Sequence, residues 1–460
     1  MKSGKTLAFL TTFLALAGAL TAQPALREPN LLRGFWESPQ FVERFLGSYG
    51  FQGGQEPSIT AQERDLLRRL VEIIPQNLPE AANLLERSIR PDSSAALDFT
   101  LGNIYFQLDR LADARRAYEA AVQKFPGFVR AHKNLGMVHI QQESLEPAVA
   151  AFTRALELGG GDGSTYGLIG YAHLQLDRPV SAEAAYRQAL LFEAAQTNWR
   201  QGLARSLQIQ ERHREAAALL AELIAQEPTR PEHLLFQANA FIALDDQIRA
   251  AQNLEIVRRM GAIPPEALLT LGDIYLNQDL IDIALGAYQQ SLRDAPRQAA
   301  SRALRAAEVL AQRERQREAL ELVTAVEQVE EGLDQADRIR RQRIQARLSL
   351  AEDDPAQAVA LLEDLLLHAP MDGEALLLLA RAQTAMGQPE RAELSLQRAA
   401  DVRGFTAAAL RQHGELLARQ RRFSEALDHL RQAQALEPRG YVADYIEQVE
   451  RLARIQAEQR

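Results

Sequence analysis

Apolar residues along this chain fall in pairs of helical stretches, spaced three and four apart and divided by short polar breaks such as Leu108-Asp109-Arg110 and Leu176-Asp177-Arg178. That alternation predicts antiparallel helix pairs. The pairs recur in register. A small residue stands at Gly102, Gly136, Gly170, Ala204, Ala238, Gly272, Ala307, Ala346, Ala380 and Gly414, and an alanine follows each one twelve residues later, from Ala114 to Ala426. The step is 34 residues except for one of 35 before Ala307 and one of 39 before Ala346. A fixed period in the thirties marks a solenoid of stacked repeats. Four residues beyond the alanine, a large residue such as Tyr118, Phe152, Tyr186, Tyr288 or Leu430 lies on the same face one turn on. The small residue in the first helix lets the second helix come close. Pro126, Pro228, Pro296, Pro370 and Pro438 stop the second helix in five repeats, because proline cannot continue it. One helix pair cannot bury its own apolar face, so stability is a sum over neighbours.

The set Leu101-Gly102-x-x-Tyr105, Ala114-x-x-x-Tyr118, Ala121 and Pro126 resembles the tetratricopeptide repeat. Similar sets are Leu135-Gly136, Ala148, Phe152, Ala155 and Leu271-Gly272, Tyr275, Ala284, Tyr288, Pro296. The resemblance runs over residues 95–440 and implies an all-α fold, a right-handed superhelical solenoid of about ten antiparallel helix pairs. It implies protein binding and says little about the partner. Repeats seven to ten lack an aromatic in the second helix and are expected to pack more loosely. Ahead of the array, residues 59–94 read as a degenerate capping pair with Ala81 and Leu85 at the repeat offset. Behind it, residues 441–460 read as a capping helix with Val442, Tyr445, Ile446, Val449, Leu452 and Ile455 on one face. The five extra residues near 330–334 mark a change of stacking register, with Gly332 as its hinge.

Residues 1–22 carry Lys2 and Lys5, an apolar run from Leu7 to Leu20, and small residues at Ala17, Ala19 and Ala22. This is the layout of a secretory signal peptide cleaved after Ala22, with an uncleaved membrane anchor as the alternative. Residues 23–58 set Phe35, Trp36, Phe41, Phe45, Tyr49 and Phe51 among prolines and glycines. Three readings stand for this linker: a strap folded back over the first helix pair, a segment that docks on a partner or membrane, or disordered chain. Cysteine is absent from the sequence, which excludes disulfides and a lipid-modified N-terminal cysteine. The net charge of −9 becomes −11 once Lys2 and Lys5 are removed. An acidic chain without a basic patch is a poor nucleic-acid binder. An exported helical array without cysteine fits the periplasm or the outer side of a bacterial envelope.

Candidate chemistry is sparse. His139 and His173 occupy one slot in adjacent repeats, about 10 Å apart, too far to share a metal bound at ~2 Å, and they read as core residues. Gly159 to Gly163 is followed by Ser164-Thr165-Tyr166 rather than the Gly-Lys-Ser/Thr of a phosphate loop, so the glycines fill an inter-repeat turn. No nucleophile motif, metal-ligand spacing or cofactor signature is present. The chain is expected to be no enzyme and to carry no cofactor.

In the tetratricopeptide family the first helices line a concave groove. The matching positions here are Phe99, Asn103, Phe106, Arg130, Lys133, Met137 and Ile140 in repeats one and two. Tyr171, Gln201, Arg205, Asn239, Asp273 and Asn277 follow in the centre. Asn103, Lys133 and Asn134 partly resemble the family's clamp for a C-terminal carboxylate, with Phe99 where the clamp has lysine. Arg340, Arg343, Arg347, Arg381 and Arg411 share the C-terminal part of that face and suit an acidic segment, unless Glu308, Glu374 and Glu415 pair with them internally. The expected partner is a protein or peptide, acidic in that part, and not nucleic acid. Membrane contact follows only from an uncleaved N-terminal segment. The alternative function is an accessory subunit of a polysaccharide synthesis or export system.

Overall fold

The computed structural model describes residues 32, 35, 36, 56–329 and 333–458. The signal-like segment, most of the aromatic linker and Gly332 lie outside the described residues. The described chain is an all-α helical-repeat solenoid of 23 helices. The described residues divide into two compact blocks, those up to Ala262 and those from Ile263 on.

In the N-terminal block the pair Ala61–Ile73 and Leu78–Ser88 precedes the array. Its first helix begins at Thr60, where Glu63 and Thr60 satisfy each other's backbone amides in a capping box. Five repeats follow, from Ala95–Gln107 with Leu111–Lys124 to Pro231–Ala243 with Gln247–Arg259. The C-terminal block holds five more, from Pro265–Asn277 with Ile281–Asp294 to Thr406–Arg419 with Phe423–Leu436, and ends on Gly440–Glu458. In that last helix Val442 and Val449 are buried, while Leu452 and Ile455 of the same stripe are half exposed.

The repeat signature acts as a lock. Every one of the ten signature alanines is buried, and the small residue is where the large residue four beyond the alanine lands. A Cβ added at Gly102 would stand 2.6 Å from the Tyr118 ring, at Gly136 2.8 Å from Phe152, and at Gly414 2.6 Å from Leu430. Val323, Leu362, Leu396 and Leu430 in repeats seven to ten are as deeply buried as Tyr118 and Tyr186. The expected loosening of the later repeats therefore does not show in burial.

The two departures from 34 residues lengthen helices. Pro296–Gln312 and Gln335–Ala351 each run 17 residues, where most first helices run 13. Both begin one turn earlier relative to the small residue. Around the insertion, Leu333 is buried in the core and Asp334 caps the second of these helices through the Asp337 amide at 2.8 Å.

The polar break inside each pair has one geometry. The seventh residue after the small residue takes a positive φ in all ten repeats: Asp109, Glu143, Asp177, Glu211, Asp245, Asp279, Glu314, Asp353, Gly387 and Arg421. This left-handed residue ends the first helix, and aspartate tolerates it better than longer side chains do. Glu143→Gly, Glu211→Gly and Glu314→Gly are each expected to raise stability by about 0.5–1 kcal/mol, the left-handed strain relieved less glycine's entropy cost. Asp245→Gly should gain less. Urea unfolding of the single variants checks both statements.

Candidate partner-binding surfaces

At Asn103 and Asp273 the residue after the small residue meets the tyrosine of its own second helix. Asn103 is 1% exposed. Its Oδ1 accepts from the Tyr118 phenol at 2.7 Å and from Asn134 Nδ2 at 2.9 Å. Asp273 is buried in the same slot, where Oδ1 accepts from Tyr288 and Oδ2 from Arg302 Nε at 2.7 Å. Phe99 is buried too, its ring 4.8 Å from that of Phe128 and 5.8 Å from that of Tyr118. Phe99, Asn103 and Asp273 are thus core residues, correcting the expectation that they face a partner. The cause is that a tyrosine ring lying over the small residue carries its hydroxyl to the next side chain, and a buried hydroxyl needs a partner. The sequence held a signal for this, since two of the three repeats with tyrosine in the second helix place Asn or Asp in that slot. The third has Tyr171 there, and the fully buried Tyr186 hydroxyl has no hydrogen-bond partner among the described residues. Burial pushes that phenol's pKa far up.

Other groove candidates of the N-terminal block are already engaged. Arg130 Nε lies 2.6 Å from Glu56, with the guanidinium 5.1 Å from the Phe99 ring centre. Lys133 pairs with Asp162 at 2.6 Å. Asp162 also accepts from the Thr165 amide at 2.7 Å and so caps the helix that follows the glycine turn. Burial opposes its ionisation, yet Lys133 and Thr165 hold the carboxyl below its ordinary pKa. Arg205 and Asn239 are half buried on the first helices of repeats four and five.

Met137, Ile140, Ile169, Trp199, Leu203 and Phe236, all on first helices, share one buried apolar cluster with Leu32 and Phe35 of the linker. Phe106, Tyr171 and Trp36 pack against it. Phe35 thus lies against Trp199 of repeat four and Glu56 pairs with Arg130 of repeat two, beyond the first pair that a strap was expected to cover. Trp199, which sequence reasoning passed over, is the centre of this contact. Its ring lies 5.3 Å from Phe35 and 6.3 Å from Tyr186, and its Nε1 donates to Glu193 at 3.0 Å.

In the C-terminal block three of the five expected arginines are neutralised by their neighbours. Arg340 lies 3.5 Å from Glu308, Arg343 lies 3.3 Å from Asp372 and 3.1 Å from Glu374, and Arg347 pairs with Glu374. Arg411 donates to the Tyr441 hydroxyl at 2.9 Å, with Glu415 at 3.9 Å. Arg381 is exposed and has no ion pair among the described residues; Arg419, which was not foreseen, is in the same condition. Arg381, Thr384, Arg411, Gln412, Glu415 and Arg419 line one open cleft of about 430 Å³. A larger cleft, of about 560 Å³, lies between the second helices of repeats six and seven, where Gln289 already donates to Glu321.

The histidines are packed rather than clustered for metal. Burial lowers the pKa of His139 and of His173, each of which is half buried. His413 and His429 stack with ring centres 4.3 Å apart, a pairing the repeat register puts together and the sequence reading missed. Among the described residues no three potential metal ligands converge. No described helix is long and apolar enough to cross a membrane.

Two stretches match models of the tetratricopeptide repeat, residues 99–163 in the N-terminal block and residues 349–412 in the C-terminal block. The chain is therefore a tetratricopeptide repeat protein. Among solved structures it is similar to a tetratricopeptide repeat protein from Parabacteroides merdae, at 17% identity over 50% of this chain and 93% of that one, with a TM-score of 0.39. It is also similar to YrrB, described as a TPR protein with an unusual peptide-binding site, at 18% identity over 43% and 95% of the two chains and a TM-score of 0.37. The APC/C hetero-tetramer Cut9–Hcn1 matches at 11% identity over 85% and 96%, with a TM-score of 0.35. No curated protein matches the chain.

Proposed function

We propose that this protein is an exported, non-catalytic scaffold of the bacterial envelope that holds segments of other proteins against the first-helix faces of its repeats, an acidic segment among them. The signal-like N-terminus and the lack of cysteine support export. Membership of the tetratricopeptide repeat proteins supports a protein-interaction role. The observation that carries the acidic segment is the cleft where Arg381 and Arg419 stand exposed without an ion pair among the described residues, beside Arg411. Guanidinium groups already in place bind a carboxylate with little ordering cost on the protein side. Arg343 and Arg347 contribute less, because Asp372 and Glu374 already occupy them.

A fluorescent peptide with six glutamates tests this reading. The full chain is expected to bind it, more weakly as salt rises. Arg381→Ala/Arg419→Ala should weaken binding about tenfold, from about 0.7 kcal/mol per exposed charge. The Arg343→Ala/Arg347→Ala pair should do less. Equal affinity for the unmodified chain and Arg381→Ala/Arg419→Ala would remove the cleft as a binding surface.

A further inference from the structure

We infer that Leu32, Phe35 and Trp36 are an internal ligand of the N-terminal block, and that the surface under them receives a client segment with an aliphatic-aromatic turn in competition with them. The inference rests on the reading of first-helix faces as binding surfaces and names what one of them accepts.

The docked turn has the form of a short recognition element. The Phe35 amide donates to the Leu32 carbonyl at 3.0 Å, so the two side chains leave one tight turn. Leu32 is 3% and Phe35 5% exposed, although neither belongs to a helix of the array. Phe35 lies edge-on to Trp36 at 5.3 Å and tilted on Trp199 at 5.3 Å. The sequence contains two tryptophans, and both are at this contact.

The platform is set by the array. Trp199 has its indole over Gly167, where an added Cβ would lie 2.3 Å away, and its Nε1 is held by Glu193. Met137 and Ile140, in the same cluster, occupy positions that the repeat pattern assigns to the groove. An aromatic anchor in a preformed apolar seat is the form of an interaction hot spot, where a few residues carry most of the affinity. Further along the chain Glu56 pairs with Arg130 of repeat two, so the turn is tethered near its seat. Tethering gives it an effective concentration in the millimolar range, which a client in solution must overcome.

The test uses the full chain and a fluorescent peptide of residues 28–40. The unmodified chain is expected to bind the peptide at least about tenfold more weakly than the Phe35→Ala/Trp36→Ala variant, whose seat is vacated. Met137→Gln added to that variant should lower the affinity again, with helical circular dichroism unchanged. A peptide carrying the same two alanines should fail to compete. Equal peptide affinity for the unmodified chain and the double variant would overturn the inference, as would no binding by a double variant that is still helical. Concentration-dependent dimers of the unmodified chain that the double variant abolishes would also overturn it, because the turn would then be seated on a second copy. The six-glutamate peptide is run in parallel. If it binds and the 28–40 peptide does not, the internal ligand fails alone; if neither binds, the scaffold reading fails with it.

Discussion

Asp273→Ala is expected to destabilise the C-terminal block by about 3–5 kcal/mol, the cost of leaving one partner of a buried ion pair uncompensated. The carboxylate is 3% exposed and the Arg302 side chain 10%. Oδ2 accepts from Arg302 Nε at 2.7 Å and Oδ1 from Tyr288, and Thr270 Oγ1 accepts from the same guanidinium at 3.3 Å. Removing the carboxylate strands a cation and a phenol in a buried helix interface between repeats six and seven. Asp273→Ala/Arg302→Met should recover part of the loss, because it removes both charges and methionine keeps most of the arginine's apolar bulk. A repeat array opens locally, so hydrogen exchange across residues 265–312 is the suitable measurement beside urea unfolding. A loss below about 0.5 kcal/mol, as for an ordinary surface position, would mean that water reaches the pair, and would return Asp273 to the partner-facing set.

Gly167→Ala is expected to cost the N-terminal block about 2–3 kcal/mol, the upper part of the range for overpacking. The new methyl group would fall 2.3 Å from Trp199 Cε2 and 2.4 Å from Cδ2. The indole has little freedom to retreat, since Glu193 holds its Nε1 and the rings of Tyr186 and Phe35 lie against it. Both tryptophans report on this contact, so a red-shifted fluorescence should accompany the lower melting temperature. Gly286→Ala is the matched control. It sits inside Ile281–Asp294 with nothing within 4 Å of the added Cβ, and should stabilise by about 0.5–1 kcal/mol. A melting temperature unchanged by Gly167→Ala would show that the indole moves freely, and would weaken the case for a preformed seat beneath Phe35.

The groove residues show where a pattern stops being informative. The repeat offset placed Asn103, Asp273 and Met137 in one slot, and position alone cannot tell which of them meets a ring from the same repeat. Tyr118 and Tyr288 claim Asn103 and Asp273, while Met137, with Phe152 in its second helix, joins the cluster around Phe35. Arginines behave likewise. Arg343 and Arg381 are the same residue type on the same face, yet Glu374 and Asp372 reach the first and no carboxylate among the described residues pairs with the second.

The sequence by itself determined the helix pairs, their ten-fold repetition, the polar break inside each pair and the alanine with a large residue one turn on. These are local or nearest-repeat properties, and a period of 34 residues records them directly. Tertiary structure decided which charges are spent on neighbours, which polar groups satisfy a buried phenol and where the aromatic linker lands. Those outcomes depend on side chains that meet about 30 residues apart, as Lys133 meets Asp162, or more than 160 apart, as Phe35 meets Trp199. Distances of that kind are set by how helices stack, and a one-dimensional pattern of apolar and polar positions does not contain them.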